Sequence, residues 1–250
     1  MPLTVFITGA SAGFGAAIAR RLVRDGHRVI ATARRADRLD ALAKELGPAL
    51  LPFPLDVTDK AAVAALPASL PDGWREVDVL VNNAGLALGL SPAWDAKPED
   101  WDTMVATNVT GVLHATRALL PGMVARNRGH IVNLGSTAGI YPYPGGHVYG
   151  ASKAFVTQFS LNLKADLVGT GVRVTDLQPG LVGGSEFSTV RFGDSTRAAA
   201  VYQGTTPLTP DDIAEAVTWV LSLPAHVNIN RIEMMPTCQA PSALTVKRTT

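Results

Sequence analysis

An α/β fold, a doubly wound parallel sheet with helices on both faces, is what this sequence predicts. Strand-like and helix-like segments alternate from the first residues onward, the order that builds βαβ units. The strand candidates are β-prone runs such as Val77-Asp78-Val79-Leu80-Val81, the pattern of strands covered on both faces. The 250 residues, 47% apolar and 17% charged, supply the core of one such unit better than of two, so 1–250 are read as a single domain.

Each element has its own signal. Residues 3–8 form a first β-prone run, followed by a glycine turn and a helix over 16–25 that closes at Gly26. A second strand fits 28–33, and a helix over 37–46 stops at Gly47-Pro48. A third strand is expected within 50–57 despite Pro52 and Pro54, and a helix over 59–70 is interrupted by Pro67. Strands at 77–81 and 130–134 flank one long helix over 99–119 that begins after Pro98. The helix at 148–168 ends at Gly169 and Gly171, and a sixth strand follows at 172–177. Residues 183–209 are irregular and rich in Gly, Ser and Thr. Lying after a strand end, they are expected to form a lid. A helix over 211–223 and a last strand over 232–235 complete the order, with a tail from 236 to 250. With this alternation the fold is of the Rossmann type.

Bulk properties exclude several functions. A net charge of +1 offers no nucleic-acid or membrane surface. Cys238 is the only cysteine, so an intrachain disulfide and a cysteine-based zinc site are ruled out and no metal is expected; the usage suits a reducing, cytoplasmic compartment. The amino-terminal stretch reads as a strand and not as a signal peptide, and no run approaches the roughly 20 apolar residues of a membrane span.

The first strand runs into Thr8-Gly9-Ala10-Ser11-Ala12-Gly13-Phe14-Gly15. Here Gly9 would allow the sharp turn, Gly13 the approach of backbone to a pyrophosphate, and Gly15 close helix packing. The helix that follows offers free N–H groups and a positive dipole end to phosphate, with Ser11 and Phe14 in the same turn. The end of the second strand decides between the two nicotinamide dinucleotides. A carboxylate there would bind a free ribose hydroxyl; this chain has Ala33-Arg34-Arg35, and a guanidinium can take a 2′-phosphate with two hydrogen bonds. NADP(H) is therefore the expected cofactor, with Arg34 as first choice for the phosphate and Arg35 as second. Asp56 and Val57 could touch the adenine, Asp56 through its side chain and Val57 through backbone, although Asp56 could equally cap the next helix. Asn83, Ala84 and Gly85 close the fourth strand beside the same groove.

Tyr149 and Lys153 stand four apart at the start of a predicted helix, which stacks them on one face. For a tyrosine with an ordinary pKa of about 10 to exchange protons near pH 7, its phenolate needs roughly 4 kcal/mol of stabilisation. A close ammonium in a partly dry site can supply that, and the oxidised nicotinamide adds a second charge. Ser136, at the end of the fifth strand, can hold a substrate oxygen against the phenol.

Taken with Asn108 in Asn108-Val109-Thr110-Gly111 and with Pro179-Gly180, these motifs make the chain resemble the short-chain dehydrogenase/reductase family over nearly its whole length. The resemblance implies Tyr149 as general acid/base and Ser136 as stabiliser of the substrate oxygen. It gives Lys153 both the tuning of the tyrosine and a hold on the nicotinamide ribose, and gives Asn108 a water in the proton relay. It also implies that Pro179, Gly180 and Val182 pass the nicotinamide carboxamide; the family usually has a threonine just beyond, where this chain has Gly183-Gly184-Ser185. Relatives are usually homotetramers packed through the long helices, with the tail from 240 to 250 laid over a neighbour. A narrower resemblance, carried by 179–188, 223–230 and 233–237, is to NADP-dependent 3-hydroxy acid dehydrogenases, which act on serine, allo-threonine and similar acids and reduce malonic semialdehyde.

A small anionic substrate needs a cation near the lid. Arg191 is the one basic residue between Arg173 and Arg197, and it either pairs the substrate carboxylate or is a plain loop arginine. His147 could face the substrate or be structural, and Tyr141 and Tyr143 could line the pocket or stiffen their loop. Two other readings stay open. One is an NADPH-dependent reductase of sulfoacetaldehyde, forming isethionate, or of another small carbonyl compound. The other is a regulator that senses NADP without turnover.

Overall fold

A computed structural model describes residues 2–242 and residue 246. Seven strands form one parallel sheet in the order β3-β2-β1-β4-β5-β6-β7. They are β1 (Thr4–Thr8), β2 (Arg28–Ala33), β3 (Leu50–Pro54), β4 (Val79–Asn82), β5 (Gly129–Leu134), β6 (Val172–Pro179) and β7 (Arg231–Met234). Successive side chains of a strand point to opposite faces, and here both faces are apolar. Val5 and Ile7 of β1 join one core and Phe6 the other; Val79 and Val81 of β4 are likewise divided from Leu80.

The first core is covered by α1 (Gly13–Arg24), α2 (Ala36–Leu46) and α10 (Pro210–Ser222). The second is covered by α3 (Lys60–Ala64), α4 (Leu66–Ser69), α6 (Gly111–Ala125) and α7 (His147–Asp166). Helix α10 starts on a reciprocal cap: the Thr209 hydroxyl accepts from the Asp212 N–H while the Asp212 carboxylate accepts from the Thr209 N–H at 2.7 Å.

Local chemistry explains where the expected boundaries move. Strand β3 occupies Leu50–Pro54, inside the stretch expected to hold it. It is an edge strand, and the Leu55 N–H donates to the Ala33 carbonyl. By alternation Pro52 and Pro54 therefore turn their nitrogens outward, where a missing N–H breaks no ladder bond. The helix expected over 59–70 divides at Ala65, because Pro67 cannot donate back to Val63. The single helix expected over 99–119 is α5 (Pro98–Val105), a π turn over Ala106–Thr110, and α6. The stretch 183–209 is less irregular than its composition suggests and carries α8 (Phe187–Phe192) and α9 (Ser195–Ala200). Among the described residues, no helix is long and apolar enough to cross a membrane.

Candidate active site

Strand order reverses around β1, whose neighbours β2 and β4 lead to opposite ends of the sheet, and a crevice at such a point is where open α/β sheets take ligands. A cavity of about 350 Å³ lies there. It brings together Gly9, Ser11, Gly13 and Phe14 from the first turn with Arg34, Arg35, Asp56 and Val57 beyond β2 and β3. Asn83, Ala84 and Gly85 line it from β4, and Tyr149 and Lys153 from α7.

The turn is built for close backbone approach. Gly9 has φ +70°, and a Cβ there would stand 2.9 Å from the Ala84 Cα. A Cβ on Gly15 would stand 2.5 Å from the Gly9 carbonyl oxygen, so Gly15 serves packing and does not line the cavity. Asn83 holds the turn from the side, its Nδ2 donating to the carbonyls of Thr8 (2.8 Å) and Gly9 (3.1 Å). The Thr8 hydroxyl accepts from the N–H groups of Asn83 and Ala84. These contacts leave the start of α1 open to the cavity, and the residues fit a dinucleotide phosphate.

At the far end of the cavity Arg35, not Arg34, is the engaged cation. Its guanidinium donates to the Ser11 hydroxyl at 3.1 Å and to Glu186 at 2.9 Å. Arg38 donates to the other oxygen of Glu186 at 2.7 Å. The Arg38 and Arg35 guanidinium groups hold the Glu186 carboxyl below the usual carboxylate range. Arg38 and Glu186 were not among the residues expected from the sequence; the signal for Arg38 was its place one helical turn after Arg35. Asp56 does not cap α3, whose cap is Asp59; its Oδ1 instead accepts from the Thr58 N–H and hydroxyl.

A second cavity of about 330 Å³ meets the first at Phe14, Gly135, Tyr149 and Phe187. Ser136, Pro179, Gly180, Val182, Tyr141, Tyr143 and Arg191 line it. Ser136 caps a short 3-10 turn, accepting from the Ala138 N–H at 3.1 Å, and its hydroxyl donates to the Pro179 carbonyl at 3.5 Å. Arg191 sits on α8, half-buried. Its Nη2 donates to the Tyr143 hydroxyl at 2.9 Å and its Nε to the Gly89 carbonyl at 3.1 Å, while its guanidinium carbon lies 5.7 Å from the centre of the Tyr149 ring. Gln239 closes the cavity from the tail, its Oε1 accepting from the Leu181 N–H at 2.7 Å. The start of the tail thus rests on its own chain; residues 243–245 and 247–250, part of the segment expected to cover a neighbour, lie outside the described residues.

Tyr149 and Lys153 share one face of α7, with Nζ 5.8 Å from the ring centre. Burial dominates the electrostatics of this pair. Burial pushes the Tyr149 hydroxyl up to about 12; the Ser136 hydroxyl and the Arg191 charge act against this, and Tyr143 acts with it. Burial also pushes Lys153 down to about 8. The cost of desolvation exceeds the help of neighbouring charge, so the phenol keeps its proton. The Lys153 Nζ donates to the Leu134 carbonyl at 2.6 Å.

Asn108 lines neither of these two cavities. It lies behind Gly85 in the π turn, its Nδ2 donating to the Leu86 carbonyl and the Ser152 hydroxyl and its Oδ1 accepting from the Leu86 N–H. A Cβ on Gly85 would lie 3.3 Å from that Oδ1 and 3.4 Å from the Lys153 Nζ, which places amide and amine on the same face of the glycine. His147 does not face the substrate cavity. Its Nε2 is 3.1 Å from the Ser91 carbonyl, its Nδ1 accepts from the Val148 N–H, and its ring stands edge-on to Trp101, so it fastens the start of α7.

A glycine turn at the switch point, two joined cavities and a serine–tyrosine–lysine cluster at their junction define a dinucleotide-dependent oxidoreductase. The chain belongs to the short chain dehydrogenase family, which it matches over residues 3–192. It is 63% identical over 247 residues to the NADP-dependent 3-hydroxy acid dehydrogenase of Salmonella typhi, a match covering 98% of this chain and 100% of the relative. It is 51% identical over 246 residues to the serine 3-dehydrogenase of Agrobacterium fabrum, 98% of each chain being covered. Among solved structures, the closed form of serine dehydrogenase complexed with NADP+ superposes with a TM-score of 0.95 at 60% identity, covering 98% of this chain and 100% of that one.

Proposed function

We propose that this protein is an NADP(H)-dependent dehydrogenase that interconverts a small 3-hydroxy acid, of the serine, allo-threonine or 3-hydroxypropionate type, with its carbonyl form. The observation that carries the substrate class is the convergence of Ser136, Tyr149 and Arg191 on one small cavity, two groups for a hydroxyl and one for an anion. The identity to relatives named for 3-hydroxy acids and serine supports it.

The dinucleotide, when bound, supplies or takes up the hydride. Gly9, Ser11, Gly13 and the start of α1 hold its pyrophosphate, and Arg35, with Arg34 and Arg38 beside it, holds the 2′-phosphate. Asp56 and Val57 flank the adenine, and Pro179, Gly180 and Val182 border the nicotinamide end from the second cavity. Ser136 orients the substrate oxygen against the Tyr149 hydroxyl. Tyr149 gives its proton to a carbonyl oxygen becoming an alkoxide in reduction and takes it back in oxidation. Lys153 holds the ribose and, with Asn108 behind Gly85, forms the inner end of the proton path. Arg191 grips the carboxylate through a guanidinium already oriented by Tyr143 and Gly89. A homotetramer in the cytoplasm completes this reading; partly exposed Val105, Val124 and Leu161 on α5, α6 and α7 supply apolar surface on the helices expected to pair.

A steady-state screen of serine, allo-threonine, 3-hydroxypropionate, 3-hydroxyisobutyrate, isethionate and propanol, each with NADP+ and NAD+, tests this directly. The hydroxy acids with NADP+ are expected to give the highest kcat/KM. Preference for isethionate moves the assignment to a sulfoacetaldehyde reductase, and preference for propanol removes the role of Arg191.

A further inference from the structure

Behind the floor of the site lies a buried polar cluster that the mechanism above does not use. Asp176 of β6 is 1% exposed. Its Oδ2 accepts from the Thr157 hydroxyl at 2.8 Å and from the Gln178 Nε2 at 2.6 Å. Gln178 also donates to Thr157, at 2.8 Å. The other carboxylate oxygen, Oδ1, has no hydrogen-bond partner, which is costly for a buried charge unless a cation is near. That oxygen presses against Gly135: a Cβ there would overlap it. Gly135 lines both cavities and follows Leu134, the residue whose carbonyl receives the Lys153 ammonium. From the other side, Thr157 lies one helical turn after Lys153 and touches its carbonyl at 3.2 Å. Asp176 is therefore tied to Lys153 along two short routes, one through the Leu134–Gly135 peptide and one through Thr157.

We propose that Asp176 is a positioning residue, a buried counter-charge that keeps the Lys153 amine protonated from beneath the turn after β5. The inference rests on the dehydrogenase reading for its consequence in turnover, though not for its electrostatics. The charge balance agrees with the geometry. Burial drives Lys153 toward the neutral amine, and the carboxylate of Asp176 acts against that drive. Burial raises Asp176 itself, while Thr157, Gln178, Lys153 and Arg231 of β7 favour its ionised form. Tyr149, the other titratable group facing Lys153, is neutral as described and contributes no charge. An ammonium is required to hold the ribose and feed the proton path, so its loss ends turnover.

The test is Asp176→Asn, in which the amide oxygen can still accept from Thr157 and Gln178 while the charge is gone. Two quantities are read against pH: kcat/KM for reduction of malonic semialdehyde with NADPH, and the acylation of Lys153 by acetic anhydride, followed by peptide mass. In the unmodified protein both are expected to change with a midpoint near 8. In the variant both midpoints are expected to move down by about one pH unit, with turnover at pH 6 kept within a few-fold. Unmoved midpoints, or an equal loss at every pH, overturn the proposal and leave Asp176 a packing residue. If the variant does not fold, acylation of the unmodified protein decides. A Lys153 midpoint near 8 supports a counter-charge, and one well below neutrality overturns it. Should the unmodified protein fail to turn over any hydroxy acid, the functional reading falls, whereas the acylation shift still judges Asp176.

Discussion

Replacing Arg191 with methionine keeps most of the side chain's length and removes its charge and its fork. In the structure that fork has three engagements: the Tyr143 hydroxyl at 2.9 Å, the Gly89 carbonyl at 3.1 Å, and the Tyr149 ring at 5.7 Å. Losing the first two loosens α8 for every substrate. They are partly exposed neutral-partner contacts worth about 1 kcal/mol together, or roughly fivefold in kcat/KM. The hydrogen bonds to an anionic carboxylate are worth about 1.5–3 kcal/mol more, roughly a further 10- to 150-fold. The expected outcome is a selective one. For serine and 3-hydroxypropionate kcat/KM falls by about two to three orders of magnitude, carried mainly by KM, while for propanol or propane-1,2-diol it falls less than about tenfold. Arg191→Lys, which restores a point charge without the fork, should recover part of the loss. Steady-state kinetics on the paired acid and neutral alcohol are the assay. Equal losses for both would show that Arg191 only fastens the lid.

Three further perturbations follow from the same geometry. Tyr149→Phe keeps the ring packed on Phe187, whose centre lies 5.6 Å away, and removes only the hydroxyl. NADPH binding by fluorescence should persist while turnover drops by about 10²- to 10⁴-fold, and a variant of undiminished rate contradicts the assignment. Arg35→Ala should weaken NADP+ binding by roughly 10- to 150-fold and leave NAD+ nearly unchanged in titration calorimetry, because the second lacks the phosphate; parallel losses would place Arg35 elsewhere. His130 concerns stability. Burial, aided by the Arg173 charge, pushes its pKa down to about 3 from an ordinary 6.5, with its Nε2 2.8 Å from the Thr175 hydroxyl. The unfolded chain takes the proton at 6.5 and the folded one does not, so stability is full above that pH and declines as pH falls toward 3. The slope approaches about 1.4 kcal/mol per pH unit. Denaturant melts at several pH values should show that slope flattened in His130→Gln; identical slopes would mean the histidine protonates in place.

The parts of the fold and site visible in the sequence are those set by local rules. The turn at Gly9 is legible because a positive φ and an approach to Ala84 leave room only for glycine. The Tyr149–Lys153 pairing follows from helical spacing, and the strands follow from β-prone runs with both faces buried. What escaped depends on partners distant in the chain. Glu186 meets Arg35 across 151 positions, and Gln239 meets Leu181 across 58. The proton affinity of Tyr149 is decided by how dry its surroundings are, which no four-residue spacing reveals. Likewise, nothing in Asn108-Val109-Thr110-Gly111 signals a π turn, whose Asn108 is hydrogen-bonded to Leu86 and Ser152, 22 and 44 positions away. His147 looked poised two residues before Tyr149, but helical residues two apart do not face each other and it turns to Trp101.

The two prolines of β3 bear on how the protein behaves among many copies of itself. A stray extended segment that tried to lengthen the sheet at this margin would find no hydrogen to accept at residues 52 and 54. It could register only through carbonyls, which is too little to seed stacking of chain upon chain. Replacing both with valine would leave the catalytic centre untouched and make this border adhesive, to be seen as turbidity on concentration or slow heating.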